Sequence, residues 1–450
     1  MSKLKSTSER HGRLLRVLGV GFGLAVIIGN TIGAGIFRAP GEVASQLPNA
    51  WWFLAAWIAG GLYALLGAVQ IAELGTTLPR SGGQYVFARH ALGEYAGFIV
   101  GWSDWISTCG SAAAVSIVIG DFTGALFPAL AGKGPAIAAT VAIVFAVLQW
   151  HGIVLSSVVQ DFTSLLKALA FIVLVIAAFA LAGNHGGVAA SSAVTPAHLA
   201  LFGAFVIALQ SVIYTYDGWS GVVYFSEEVR DPARDIPRSL FGGVLLIIGI
   251  YLLVNLALLY VLPISRIAGQ EFAAGTAAEA IFGRYGDRVF RILTILSMLS
   301  AINAYHLMAT RVLFAMSRDN LLAKSVTRVN KGGTPTVALF LSTTAAVLFI
   351  LFGKTFGTVI TVLAFFFVAN YTLSFISVFV MRRREPERNR PYRAWGYPWT
   401  TALALVGSVA FLCGAVASDT RNSIYALLLL AASYPAFLLT KLLTARAAKS

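Results

Sequence analysis

Apolar positions in this chain come in long unbroken runs rather than in alternation. Charge-free or nearly charge-free stretches recur at 17–37, 51–72, 96–125, 135–150, 155–183, 198–224, 240–262, 288–315, 335–352, 355–380, 399–417 and 423–440. A helix needs roughly 20 apolar residues to cross a bilayer, and these runs reach or approach that length. Strands of a membrane barrel would be shorter and would alternate polar with apolar residues. The pattern therefore predicts an all-α polytopic membrane protein with twelve transmembrane helices.

Composition strengthens that reading. Hydrophobic residues make up 58% of the 450 and charged residues only 12%, against about 25% charged in ordinary soluble chains. A water-soluble fold of this size would lack the polar surface to cover itself. The 43 glycines suit close helix packing in lipid. Most of the 33 Lys and Arg fall on one side of the predicted spans, at Lys3, Lys5, Arg10, Arg13, Arg16, Arg80, Arg89, Arg230, Arg234, Arg238, Arg318, Lys324, Arg328, Lys331, the 382–393 cluster and the 441–449 tail. That side is expected to be cytoplasmic, with both termini. Arg38, Lys133, Arg266, Arg284, Arg288, Arg291, Lys354 and Arg421 are expected in outer loops. The net charge of +14 does not suggest nucleic acid, since no soluble domain carries a basic face. The first run lacks a small-residue cleavage site, so it is expected to stay as a span. Cys109 and Cys413 both fall within spans and suggest neither a disulfide nor a metal site. The six histidines show no ligand spacing, and no cofactor is expected.

Two spans are interrupted. The first reads Gly29-Asn30-Thr31-Ile32-Gly33-Ala34-Gly35-Ile36-Phe37, and the sixth reads Tyr214-Thr215-Tyr216-Asp217-Gly218-Trp219-Ser220-Gly221. Gly29 and Gly33 alone could be a small-residue packing pair, but an Asp at membrane depth marks function. The first and sixth positions correspond if spans 1–5 and 6–10 are inverted repeats, and matched breaks of this kind point to a transporter's binding site. A half-helix starting at a break offers N–H groups to a carboxylate. One ending there offers carbonyls to an ammonium. A zwitterion, such as an amino acid, satisfies both.

At these residues the sequence resembles the amino acid–polyamine–organocation superfamily, and within it the L-type amino-acid transporter branch and its bacterial relatives. The resemblance rests on Gly33-Ala34-Gly35-Ile36-Phe37-Arg38-Ala39-Pro40, Ala72-Glu73-Leu74-Gly75, Pro79-Arg80-Ser81-Gly82-Gly83, Tyr216-Asp217-Gly218-Trp219 and Glu227-Glu228-Val229. It continues through Asp231-Pro232, Ile236-Pro237-Arg238, Arg311, Ser317-Arg318-Asp319 and Pro391-Tyr392-Arg393-Ala394-Trp395-Gly396-Tyr397-Pro398. It implies repeats at 17–183 and 198–380, accessory helices at 399–440, and cytoplasmic segments at 1–16 and 441–450. By the same resemblance, Gly33, Ala34 and Gly35 N–H groups would hold the substrate carboxylate, with Thr31 and Ile32 close by. Carbonyls near Tyr214, Thr215, Tyr216 and Asp217 would take the amino group, Tyr214 would close over the substrate, and Asn303 would lie near the site. Three departures stand out. Asp217 replaces the Gly of animal members, Ala34 replaces a frequent Ser, and the loop around Gly132-Lys133-Gly134 lacks the Cys that bonds an accessory glycoprotein. No such partner is expected.

Lys167 stands in a long apolar run, six residues after Asp161, or roughly 9 Å along a helix. Snorkelling to the cytoplasmic interface would explain it. The resemblance implies instead a lysine beside the first break, in the space sodium fills in distant members, and a candidate carrier of a coupling proton. Glu73 and Arg80 are expected to be interface charges or a gate pair. Residues 227–238 are expected to form a solvated loop, or a set of gate ion pairs, punctuated by Pro232 and Pro237. Asp104 has no assigned role, and His306 is expected to be a packed neutral side chain. No cluster of nucleophile, base or metal ligands suggests an enzyme, and no repeated filter suggests a channel. The expected function is sodium-independent transport of neutral L-amino acids across a bacterial inner membrane, by exchange or proton symport. A polyamine or cationic amino-acid transporter of the same fold is the alternative, kept by Asp217.

Overall fold

The computed structural model describes residues 14, 16–181, 198–352 and 356–447. Lys3, Lys5, Arg10, Arg13, Lys354 and Lys449, with most of the 1–16 segment and the ends of the 17–183 repeat and 441–450 tail, lie outside them. Among the described residues the chain is helical, without strands; only two isolated bridges occur, Leu18 to Val229 and Val329 to Pro335.

The interior is built from α1 (Val20–Thr31), α2 (Ala34–Gln46), α3 (Ala50–Thr77), the short α4 (Gln84–Leu92), α5 (Glu94–Leu126), α6 (Gly134–Trp150) and α7 (Ile153–Leu181). The second part follows with α8 (His198–Tyr216), α9 (Pro232–Val261), α10 (Ala273–Phe282), α11 (Gly286–Arg318), α12 (Thr336–Phe352) and α13 (Phe356–Arg384). Then come α14 (Trp399–Ser418), α15 (Thr420–Ala431) and α16 (Ser433–Ala447). Among the described residues, nine helical stretches are long and apolar enough to cross a membrane, and ten if α1 and α2, bent by 42° at their junction, form one span. The two remaining predicted spans are α6 and α12, with 17 described residues each. At 1.5 Å per residue each is about 26 Å long, a little short of the hydrocarbon layer.

Burial sorts these helices. In the apolar windows of α5 and the α10–α11 stretch, 67% and 72% of residues are buried, against 33% in α14 and 22% in the α15–α16 stretch. The first two form the centre and the last two present their apolar sides outward, as a lipid-facing helix does. Two boundaries differ from the sequence reading. The first span runs on to Gln46, because Gly33 restarts a helix after the break; Arg38 is therefore not in a loop but on α2, 9% exposed, and pairs with Asp121 at 3.1 Å. The seventh span begins at Pro232, not 240. Proline is favoured at the first helical position, and Pro237 lies inside the helix rather than punctuating a loop.

Candidate functional site

The interruptions in the first and sixth spans meet in the interior. α1 ends at Thr31 and α2 begins at Ala34, with Gly33 at its cap and no side chain closing it. The first N–H groups of a helix have no intrahelical partner, so Ala34 and Gly35 offer donors at the positive end of the α2 dipole. Gly35 lies against α8, where a Cβ would come within 2.8 Å of Thr215 Cα. Gly33 is not so constrained: a Cβ there would meet nothing nearer than 3.8 Å, and its φ is −117°. After α8 the chain turns through Asp217 and Gly218, whose φ of +102° favours a residue without a Cβ. A Cβ on Gly218 would also meet Asn30 Nδ2 at 2.5 Å. The two breaks are thus in direct contact.

Long side chains from neighbouring helices take up the freed carbonyls. Lys167 of α7, 1% exposed, donates from Nζ to Gly29 O at 2.9 Å and to Ile32 O. It does not snorkel; it turns inward to the first break. Gly29 makes room for α7, since a Cβ there would overlap Gln160 Nε2. The Tyr251 hydroxyl of α9 lies 2.7 Å from Thr31 O and 2.9 Å from Thr215 O, so its one proton is shared between the two breaks. Tyr305 of α11 donates to Asn30 O at 3.3 Å, and Tyr371 of α13 donates to Asp217 Oδ1 at 2.6 Å. The Asn30 amide and Thr31 Oγ1 are buried without a hydrogen-bond partner among the described residues. Buried polar atoms left this way need a partner from outside the protein, water or a polar ligand.

The sequence-derived residues are mostly brought together. Thr31, Ile32, Gly33, Ala34 and Gly35 form one side of the junction, and Tyr214, Thr215, Tyr216 and Asp217 the other. The Tyr214 carbonyl accepts from Asp217 N–H at 3.2 Å, and its ring stacks on Phe367 with centroids 6.4 Å apart. The Tyr216 ring meets Tyr251 edge-on at 4.9 Å. Asn303 does not join them. Its amide donates to Ser156 O and Gln160 Oε1, both at 3.0 Å, and so ties α11 to α7; its reach to α1 is indirect, through Gln160 Nε2 and Ala25 O. The α11 residue at the break is Tyr305, two positions on, which presents a different face of the helix.

A family model described as amino acid permease matches residues 23–433. The chain belongs to the amino acid permease family. It is 28% identical to the serine/threonine exchanger SteT of Bacillus subtilis, over 96% of this chain and 98% of that one. It is also 28% identical to the Asc-type amino acid transporter 1 of Mus musculus, over 86% and 74% of the two chains. With the b(0,+)-type amino acid transporter 1 of Homo sapiens it shares 25% identity over 87% and 81%. Family membership and the apolar helices make this permease an integral membrane protein.

On the face where α1 begins, the permease is closed by ion pairs. Arg311 and Glu228, neither exposed, make a double hydrogen bond with both distances at 3.1 Å. Glu228 is therefore not in a solvated loop. Arg80 and Arg89 converge on Asp319 at 2.9 and 3.2 Å, and Tyr85 donates to the same carboxylate at 3.1 Å. Burial, with Asp319 beside it, pushes the Tyr85 phenol well above its usual range, which keeps it a donor. Arg318 pairs with Glu227 at 2.6 Å. Glu73 is neither an interface charge nor a partner of Arg80: it is 3% exposed, binds Arg382 through both oxygens, and accepts from Ala394 N–H at 2.6 Å. Deeper in, both Asp104 oxygens accept from Tyr224, at 2.8 and 2.9 Å. His306 is buried, with Nδ1 3.0 Å from Ile302 O.

Proposed function

We propose that this permease moves neutral L-α-amino acids across a bacterial inner membrane by alternating access, as a sodium-independent exchanger. The observation that carries this reading is Lys167, whose ammonium occupies the carbonyls of Gly29 and Ile32. Those carbonyls are what a half-helix would offer a monovalent cation, and a fixed ammonium makes the cation unnecessary. The substrate carboxylate is assigned to the N–H groups at Ala34 and Gly35, beside Gly33, whose own N–H donates to Thr31 O at 2.9 Å, with Asn30 and Thr31 as further polar contacts. The ammonium is assigned to the remaining carbonyl lone pairs at 214–216 and to Asp217. Tyr214, with Phe367, is the lid. Relatives named as a serine/threonine exchanger and as amino acid transporters support the substrate class and the exchange mode.

The twelve-helix arrangement in two inverted repeats, 17–183 and 198–380, with accessory helices at 399–440, is part of the proposal. Matched lengths support it: α5 and α11 have 33 residues each, α6 and α12 have 17 described residues each, and α3 and α9 have 28 and 30. The face where α1 begins is assigned to the cytoplasm by its arginines, and both termini are assigned to that side with it. The moving elements are α1, α2, α3, α8 and α9 against the α5–α6 and α11–α12 pairs, with no covalent step and no disulfide-linked partner.

The test is uptake of a radiolabelled amino-acid mixture into proteoliposomes, with and without internal amino acids, sodium and an inward proton gradient. Uptake that requires internal amino acid and ignores both ions supports the exchanger. Uptake into empty vesicles driven by protons replaces it with a symporter, with Lys167 and Asp217 first in line to carry the proton. A second reading, transport of cationic amino acids or polyamines, is favoured by Asp217, a carboxylate at the second break that accepts from the Tyr371 hydroxyl at 2.6 Å; uptake of ornithine or putrescine in place of neutral amino acids would establish it.

A further inference from the structure

A cavity of about 520 Å³ lies on the face opposite the ion pairs, lined on α8 by Gln210 and Ser211, about one turn before Tyr214, and on α13 by Ile360 and Thr361, about two turns before Phe367. Its walls come from the far half of α2, the α8 turn that precedes Tyr214, the loop after α9, the start of α13 and the α14–α15 junction. The loop is clasped onto α2: Gly269 N–H donates to Gly41 O at 3.0 Å, and a Cβ on Gly41 would overlap Gln270 O. This wall is therefore built, not incidental.

The lining carries both signs of charge. Arg38 and Glu42 stand four residues apart on α2, so they share a face of that helix. Arg38 is anchored from the far side by Asp121 at 3.1 Å, and Glu42 by the Ser211 hydroxyl at 2.7 Å. Each anchor holds its charge in place at the cavity wall. Gln210, one helical turn before Tyr214, is 4% exposed, lines the cavity, and makes no hydrogen bond among the described residues. Its amide, on the cavity wall, can both donate to and accept from a polar ligand there. Glu271 and Asp419 add negative charge at the rim.

We infer that this cavity is a second binding site for the same amino acid, an outer station from which the molecule is passed to the helix breaks. Its carboxylate faces Arg38, its ammonium faces Glu42, and the Gln210 amide bonds to either end. The volume is ample for one small amino acid. Negative charge outnumbers positive around the wall, so the station captures the ammonium end first and draws zwitterions toward the lid. Tyr214 and Phe367 then separate an outer from an inner molecule, and each turnover begins with the outer station filled.

This inference rests on the amino-acid transport reading, and the experiment separates the two. Full-length protein in nanodiscs is dialysed against radiolabelled L-serine and, separately, L-threonine, and the bound equivalents are counted. Exchange kinetics of the same protein are measured in proteoliposomes. Two equivalents are expected for the wild type and one for Glu42→Gln and Gln210→Leu. The variants are expected to raise KM for external amino acid about tenfold, with the maximal rate falling less than twofold, a split that misfolding would not produce. Normal exchange with a single bound equivalent, or variants with unchanged KM and stoichiometry, overturns the outer station and leaves the transport reading intact. Absence of uptake of any amino acid by the wild type overturns the transport reading, and the station with it.

Discussion

Tyr251 shows what one hydroxyl does at this site. It stands in an apolar run and reads in the sequence as one more large core residue, yet its oxygen lies within hydrogen-bond distance of a carbonyl from each break. Tyr251→Phe keeps the ring and removes the shared proton, taking that donor from Thr215 O and leaving Thr31 O the Gly33 N–H at 2.9 Å. At about 1–3 kcal/mol for such a loss, exchange should fall roughly tenfold while expression and retention on a sizing column stay normal; unchanged exchange would remove Tyr251 from the site. Lys167 is the stronger case, because its ammonium serves two carbonyls at once. Lys167→Ala should reduce exchange by roughly 100-fold or more, two such losses taken together. Lys167→Met should do the same, since the missing element is the donor and not the volume. Near-normal uptake by either variant refutes the role.

Glycines at the break separate into those the packing demands and those it does not. Gly35 is pressed against the α8 backbone, whereas Gly33 has ordinary van der Waals room and a φ open to any residue. Gly35→Ala should push α2 away from α8, at about 1–3 kcal/mol for overpacking, and reduce exchange more than tenfold. Gly33→Ala keeps its backbone N–H and should stay within about threefold of wild type, since an added Cβ meets nothing nearer than 3.8 Å. Equal effects of the two, measured as uptake and melting temperature in detergent, would contradict the geometry. The interruptions themselves are visible in the sequence, because glycine and polar residues cannot sit at membrane depth without a reason. Which glycine carries the contact is not, because the restriction comes from a helix more than 150 positions away in the chain.

The closed face of the molecule is held by charges that the chain scatters widely. Glu228 and Arg311 are 83 positions apart and wholly buried. Removing one partner leaves an uncompensated buried charge, so Arg311→Met should destabilise by about 3–5 kcal/mol. The double variant Glu228→Leu with Arg311→Met should recover most of the melting temperature. It should also leave this face less firmly closed, which cysteine-accessibility labelling at Ser226 would register as faster modification. Recovery of stability without any change in labelling would make the pair a structural element only.

The run lengths, the low charge and the two polar interruptions were enough to determine a helical membrane protein with breaks at 29–35 and 214–221. These are properties of single segments, dictated locally by the cost of burying polar groups in lipid. Legible too was Lys167 as an anomaly: spacing from Asp161 alone was compatible with snorkelling, the resemblance implied a place beside the first break, and the approach of α7 to Gly29 holds it there. Asn303 had the right chemistry on the wrong face of α11, while Tyr305, two residues on, reaches the break. Tyr251, Tyr371 and Gln210 carry no signal in a linear pattern, since a tyrosine or glutamine in an apolar run is ordinary. Their roles depend on which helices become neighbours, and that was decided by the tertiary packing alone, because a hydrogen bond between helices is a property of the pair.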